Sequence, residues 1–131
     1  NWFYKNKNNA LFVIEHPGFI IINAKDNVRE TLIGTLASII SKSNLYQKDT
    51  IILSLAYTID DHIKVSIRIS GSKPKDIDLN QVLSEITSKI GYESGGHLSA
   101  AGALIPQEKE QEFITYAIEI LKNKAIEEVV N

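Results

Sequence analysis

Residues 50–70 read TIILSLAYTIDDHIKVSIRIS, two alternating stretches on either side of an Asp-Asp pair. Ile51, Leu53, Leu55, Tyr57 and Ile59 alternate with other residues, and so do Ile63, Val65, Ile67 and Ile69. A period of two places every second side chain on one face of an extended strand. Asp60-Asp61 predicts a tight turn, so the stretch reads as an antiparallel hairpin. Lys64, Ser66, Arg68 and Ser70 occupy the other phase of the second strand, so Arg68 points away from the isoleucine and valine side. With a two-residue turn, Arg68 falls on the sheet side shared by Leu53, Leu55 and Tyr57; a three-residue loop breaks that pairing.

One hairpin is marginal in water, so the neighbouring sequence must extend it. Upstream, residues 11–14 (LFVI) and 19–22 (FIII) flank HPG, a turn signal, and predict two short strands. Next, DNVRETLIGTLASIISKS (26–43) predicts a helix. Asn27 and Glu30 have the spacing of a capping box, and Val28, Leu32, Leu36, Ile39 and Ile40 fall on one face. Gly34 and Ala37 are small and suggest a closely packed neighbour. Downstream, GSKPKD (71–76) reads as a loop. Asp78 with Gln81 caps a helix that buries Leu79, Val82, Leu83, Ile86 and Ile90, and Gly91 stops it. AGALI (101–105) reads as a strand. Pro106 and QEKEQE then open a last helix with Phe113, Ile114, Ala117, Ile118 and Leu121 inward. The order β-β-α-β-β-α-β-α predicts a single-domain α/β sandwich, with a mixed central sheet of about five strands and about three helices.

Composition narrows the function. The chain of 131 residues is 44% hydrophobic and 23% charged, which is ordinary for one globular domain. No apolar run reaches the roughly 18 residues of a membrane span, so no membrane role is expected. The absence of cysteine excludes disulfides and thiolate chemistry and suits a cytoplasmic location. A net charge of −2 argues against a broadly basic nucleic-acid binder, so any polyanion site must be local. The first residue is Asn rather than Met, so the chain is expected to be part of something longer.

The stretch with chemical content is GGHLSAAG, residues 95–102. Gly95 and Gly96 allow backbone N–H groups to approach an anion, and His97 can donate to a phosphate oxygen. Ala100, Ala101 and Gly102 keep the returning strand thin where a helix or ligand lies against it. The same letters also suit a plain glycine turn with a surface histidine, and residues alone do not separate the two.

GGHLSAAGALIP resembles the glycine-histidine motif of the DHH-associated domain, the C-terminal domain of DHH-family phosphoesterases. KVSIR (64–68) resembles that family's strand with a substrate-contacting arginine. DNVRETLIGTLASII (26–40) resembles the corresponding helix of archaeal RecJ-like single-strand exonucleases. The likeness spans about residues 19–121. It implies that Arg68, Gly95, Gly96 and His97 bind substrate phosphate, supported by Ser94, Ala100, Ala101 and Gly102. An arginine fork suits paired oxygens independently of any likeness. Ser94 departs from the pattern, since many relatives have a third glycine there.

The family's chemistry uses two divalent metals, Mn²⁺ or Mg²⁺, in a separate N-terminal domain. Here the three histidines, His16, His62 and His97, show no ligand spacing, so the whole of 1–131 is read as the substrate-binding domain, without metal or catalytic residues of its own. Asp60-Asp61-His62 reads as a hairpin tip and His16 as a turn residue. Trp2, Phe3 and Tyr4 are expected to pack against the missing domain rather than to stack bases. The expected partners are that catalytic domain, single-stranded nucleic acid or a short oligonucleotide, and replication or repair proteins. Two other functions fit: a non-catalytic RecJ-like component of a replication complex, or a phosphodiesterase for dinucleotides and short oligoribonucleotides. A related domain ends alanyl-tRNA synthetases, but its glycine-rich motif differs and it ranks last.

Overall fold

The computed structural model describes residues 2–71 and 77–130, with side chains described as far as Ala125. Among the described residues, six strands form one sheet: β1 (Val13–His16), β2 (Phe19–Asn23), β3 (Ile51–Tyr57), β4 (His62–Ile69), β5 (Ser94–Gly96) and β6 (Ala101–Pro106). Their order is β1-β2-β3-β4-β6-β5. Only β2 and β3 run parallel, which makes the sheet mixed. Among the described residues, four α-helices accompany it: α1 (Trp2–Asn6), α2 (Glu30–Lys42), α3 (Leu79–Ser88) and α4 (Glu110–Val130). The architecture is the expected α/β sandwich, with one more strand and one more helix. β5 was missed because two glycines carry no strand signal, and α1 because five residues are too few to show a period.

Both faces are covered, by different helices. The odd-phase residues Leu53, Leu55, Ile63, Val65 and Ile67 pack with Leu79, Val82, Leu83 and Ile86 of α3 and Phe113, Ala117 and Leu121 of α4. Ile20, Ile22 and Ile52 on the other face pack with Ala37 and Ile40 of α2 and with Phe3. Fully burying such a side chain contributes about 1.5–3 kcal/mol. Phe3 is 1% exposed within this domain's own core, and Trp2 meets Phe12 edge-on at 5.5 Å, so these two pack inside the domain rather than against another, while Tyr4 is exposed.

Three local expectations change. The β3–β4 connection has three residues at its tip, Ile59, Asp60 and Asp61, closed by the Thr58 N–H donating to the His62 carbonyl at 2.9 Å. Asp61 takes a left-handed φ of 63°, as the last residue of a three-residue hairpin loop commonly does. The strand therefore stops at Tyr57, and Ile59 is fully exposed. The odd loop changes the parity, and Arg68 lies opposite Ile52 rather than on the side of Leu53, Leu55 and Tyr57.

α2 has no capping box. Its N-cap is Arg29, without a side-chain cap, because Asn27 closes a turn on the Ala24 carbonyl through both its backbone and its side-chain N–H. The helix buries Ile33, Ala37 and Ile40, while Leu32 (53%) and Ile39 (58%) face outward. α3 forms as expected: the Asp78 carboxylate accepts from the Gln81 N–H at 3.1 Å, and Gly91 has a φ of 84°.

α4 is anchored by a buried carboxylate. Glu110 accepts from Asn23 Nδ2 at 2.8 Å, Lys25 Nζ at 2.9 Å and the Tyr57 hydroxyl, three groups at the ends of β2 and β3. Burial alone raises the Glu110 pKa, but the donated hydrogen bonds and the Lys25 ammonium together hold it below its ordinary value.

Candidate phosphate-binding site

β4 carries the polar side of the site. Lys64, Ser66 and Arg68 alternate with Ile63, Val65, Ile67 and Ile69, so the first set shares the α2 side. Where α2 lies against β4, Gly34 sits over Ser66 and Arg68. A Cβ there would stand 3.6 Å from Arg68 Nη2 and 3.7 Å from Ser66 Oγ. The small residue leaves room for the guanidinium beneath the helix. A groove of about 620 Å³ opens here, lined by Glu30, Thr31, Thr35 and Ile39 of α2 and by Lys64 and Arg68 of β4.

Arg68 is half-buried. Its Nη1 donates to Ser66 Oγ at 3.0 Å and to the Ile67 carbonyl at 2.8 Å, and burial lowers its pKa. Among the described residues it makes no ion pair. A guanidinium stays charged in a protein, and a desolvated charge without a counterion is costly. The groove side of the guanidinium is therefore left without a counterion among the described residues.

The glycine-histidine stretch is an edge hairpin rather than a free loop. Gly95 pairs with Gly102 and Gly96 with Ala101. The His97 N–H donates to the Ala100 carbonyl at 2.7 Å, extending the pairing by one row. Antiparallel ladders alternate, so the Gly95 amide also faces β6 while the Gly96 amide faces outward from the sheet edge. Of the two glycine amides expected at an anion, only that of Gly96 lies free of the ladder. The His97 side chain is exposed.

The glycines differ in why they are glycine. Gly96 has a φ of 136°, and a Cβ on it would come within 2.5 Å of the Ala100 carbonyl oxygen. Gly102 would bring a Cβ 3.1 Å from the Val65 carbonyl oxygen. Gly95 has nothing within 4 Å, so nothing described in the domain requires a glycine there. Ser94 compensates for the missing third glycine with a tether: its hydroxyl donates to Asn80 Oδ1 at 2.8 Å, fastening β5 to α3. The Leu79 N–H donates to the Leu98 carbonyl at 2.8 Å and holds the hairpin tip from the same helix. Ala101 is buried at the α3 face, and Ala100 is half-buried beside it.

Register brings the two halves together. Ile67, Ala101 and Gly96 form one row across β4, β6 and β5. The next row places Arg68 level with Ala100 and His97. Lys73 and Lys75, which the sequence places on the following loop, lie outside the described residues. Lys64 and the α2 wall were not singled out from sequence; the alternation that exposed Arg68 also carried Lys64, and Gly34 marked the close approach.

The residues present do not suit a divalent metal. Among the described residues no three His, Asp or Glu side chains gather as ligands, and the groove sets one carboxylate, Glu30, against two cations. Among the described residues, no helix is long and apolar enough to cross a membrane.

Comparison with known proteins agrees with this fold. The model of the DHHA1 domain matches residues 16–123. No curated protein matches the chain in sequence. Among solved structures, the C-Ala domain of Aquifex aeolicus alanyl-tRNA synthetase is similar with a TM-score of 0.64 at 17% identity, over 83% of this chain and 96% of that one. A pGpG-specific phosphodiesterase, PggH from Vibrio cholerae, is similar with a TM-score of 0.60 at 10% identity, over 93% of this chain and 38% of that one. A DHH-domain member of the S1p family of ribosomal proteins is similar with a TM-score of 0.55 at 24% identity, over 91% of this chain and 30% of that one. The chain thus spans about a third of the length of the last two. At these identities the likeness establishes the fold. The chain belongs to the DHHA1 domain family.

Proposed function

From that membership, we propose that the domain binds the phosphates of single-stranded nucleic acid on behalf of a RecJ-like, metal-dependent phosphoesterase, in a cytoplasmic setting. The observation that carries the reading is Arg68: a half-buried guanidinium without a carboxylate partner among the described residues, at the floor of an open groove. Phosphate oxygens fill the geometry of an arginine fork, and the free amide of Gly96 and the imidazole of His97 stand two strands away. In this reading Arg68, Gly95, Gly96 and His97 hold the substrate. Mn²⁺ or Mg²⁺, activated water and cleavage belong to a DHH domain outside these residues. PggH supports a second substrate class, because its name places a dinucleotide in a protein with a similar fold.

The test is a substrate panel with the full-length protein, supplied with Mn²⁺ or Mg²⁺ and then with chelator. Chelator-sensitive shortening of single-stranded DNA or RNA is expected. Cleavage confined to dinucleotides assigns the small-substrate reading, and binding without cleavage assigns a non-catalytic component. If neither oligonucleotide nor dinucleotide binds, the phosphate reading falls.

A further inference from the structure

The two cations of β4 lean toward the same point. Lys64 and Arg68 are four strand residues apart, about 13 Å between α-carbons. Arg68 bends back along the strand, so that Nη1 reaches Ser66 Oγ at 3.0 Å. Lys64 bends forward: its Nζ lies 3.8 Å from where a Cβ on Gly102 would stand. Ser66 and Gly102 are direct partners across β4 and β6. Both charges therefore tilt over one row of the sheet, whose members are Ser66, Gly102 and Gly95.

That row is a floor without bulk. Two of its three residues are glycines, and a side chain at Gly102 would press on the Val65 carbonyl oxygen and meet the Lys64 ammonium. Lys64 is exposed and makes no ion pair among the described residues, although it lines the groove that also holds Glu30. A lysine tied to a surface carboxylate would be an ordinary solvated charge. One tilted over a glycine floor, beside an arginine without an ion pair among the described residues, adds a second positive charge at a point open to ligand.

We propose that Lys64 is a phosphate-binding residue of this site, holding with Arg68 a single phosphate group of the nucleic acid above the Ser66–Gly102–Gly95 row. This rests on the phosphate reading of the groove. The ammonium supplies a point charge that tracks the phosphate as it settles, and the guanidinium fork sets the orientation of its oxygens. Lys64 is therefore expected to contribute affinity and salt dependence rather than base preference.

The experiment is a binding titration of the full-length protein with a short fluorescein-labelled single-stranded oligonucleotide, repeated over a series of salt concentrations. Lys64→Gln is expected to weaken binding about tenfold at low salt, the low end for a hydrogen bond to a charged group. The slope of log K against log salt should become shallower by about 0.7, one phosphate contact on a single strand. Lys64→Arg, which keeps the charge, should retain most of both. If Arg68→Ala weakens binding while Lys64→Gln leaves affinity and slope unchanged, Lys64 is not at the phosphate and the inference is overturned. If Arg68→Ala is also without effect, the phosphate reading of the groove itself fails. Lys64 is exposed, so circular dichroism should show the Gln variant folded.

Discussion

Arg68 in β4 and His97 at the end of β5 stand in one row of the sheet, with Ala100 between them. The row follows from the Ile67–Ala101–Gly96 register and from the His97 N–H bonded to the Ala100 carbonyl. Two interstrand spacings separate their α-carbons, about 9.5 Å, a span across which two long side chains can reach one phosphate. Arg68→Ala and His97→Ala should each weaken oligonucleotide affinity, Arg68→Ala by about 1.5–3 kcal/mol. If one phosphate is shared, the double variant loses clearly less than the sum of the singles. Strict additivity in a fluorescence titration would assign them to separate phosphates.

Gly95 and Gly96 should respond oppositely to alanine. Gly96→Ala forces a side chain onto the Ala100 carbonyl at a φ of 136°, so the edge hairpin is strained and thermal stability should fall. Gly95→Ala meets open space and should leave the melting temperature nearly unchanged while reducing oligonucleotide binding. Full binding by a folded Gly95→Ala protein would show that no ligand uses that space.

Gly34→Ala tests how tightly α2 sits on β4. The added methyl would make ordinary contacts of 3.6 and 3.7 Å with Arg68 and Ser66, and an alanine inside a helix is favoured over glycine by about 0.8–1 kcal/mol. Denaturant unfolding should therefore show a protein more stable by roughly that amount. A loss of stability would mean that the helix cannot accept a methyl at this approach.

Glu110 makes the domain acid-sensitive. Its folded-state pKa lies below its ordinary value of 4.5, so its stabilising effect is fully present above that value. The effect is lost as pH falls through the lower folded-state pKa, when the carboxylate that Lys25, Tyr57 and Asn23 hold takes up a proton. Glu110→Gln should be less stable than the parent at pH 7 and should lose less stability on acidification from pH 7. Parallel stability curves for the two proteins, followed by circular dichroism against pH, would remove Glu110 as the cause.

Five of the six strands, the α3 helix with its Asp78 cap and Gly91 stop, and the glycine-rich pattern of residues 94–102 are legible in the sequence. Each is a local pattern: a period of two, a cap three residues from its donor, a glycine where a side chain is excluded. The α/β class followed from the order of these patterns. What tertiary structure alone decided is which side each pattern faces. One left-handed residue, Asp61, lengthens the β3–β4 loop and moves Arg68 to the α2 side. Packing on a sheet that is already covered turns Leu32 and Ile39 outward, although their spacing suited a buried stripe. Glu110 is paired with residues more than 50 positions away, so no window of sequence could show it. Periodicity states that a strand has two faces, but only the register and the neighbouring helices determine which of them is the site.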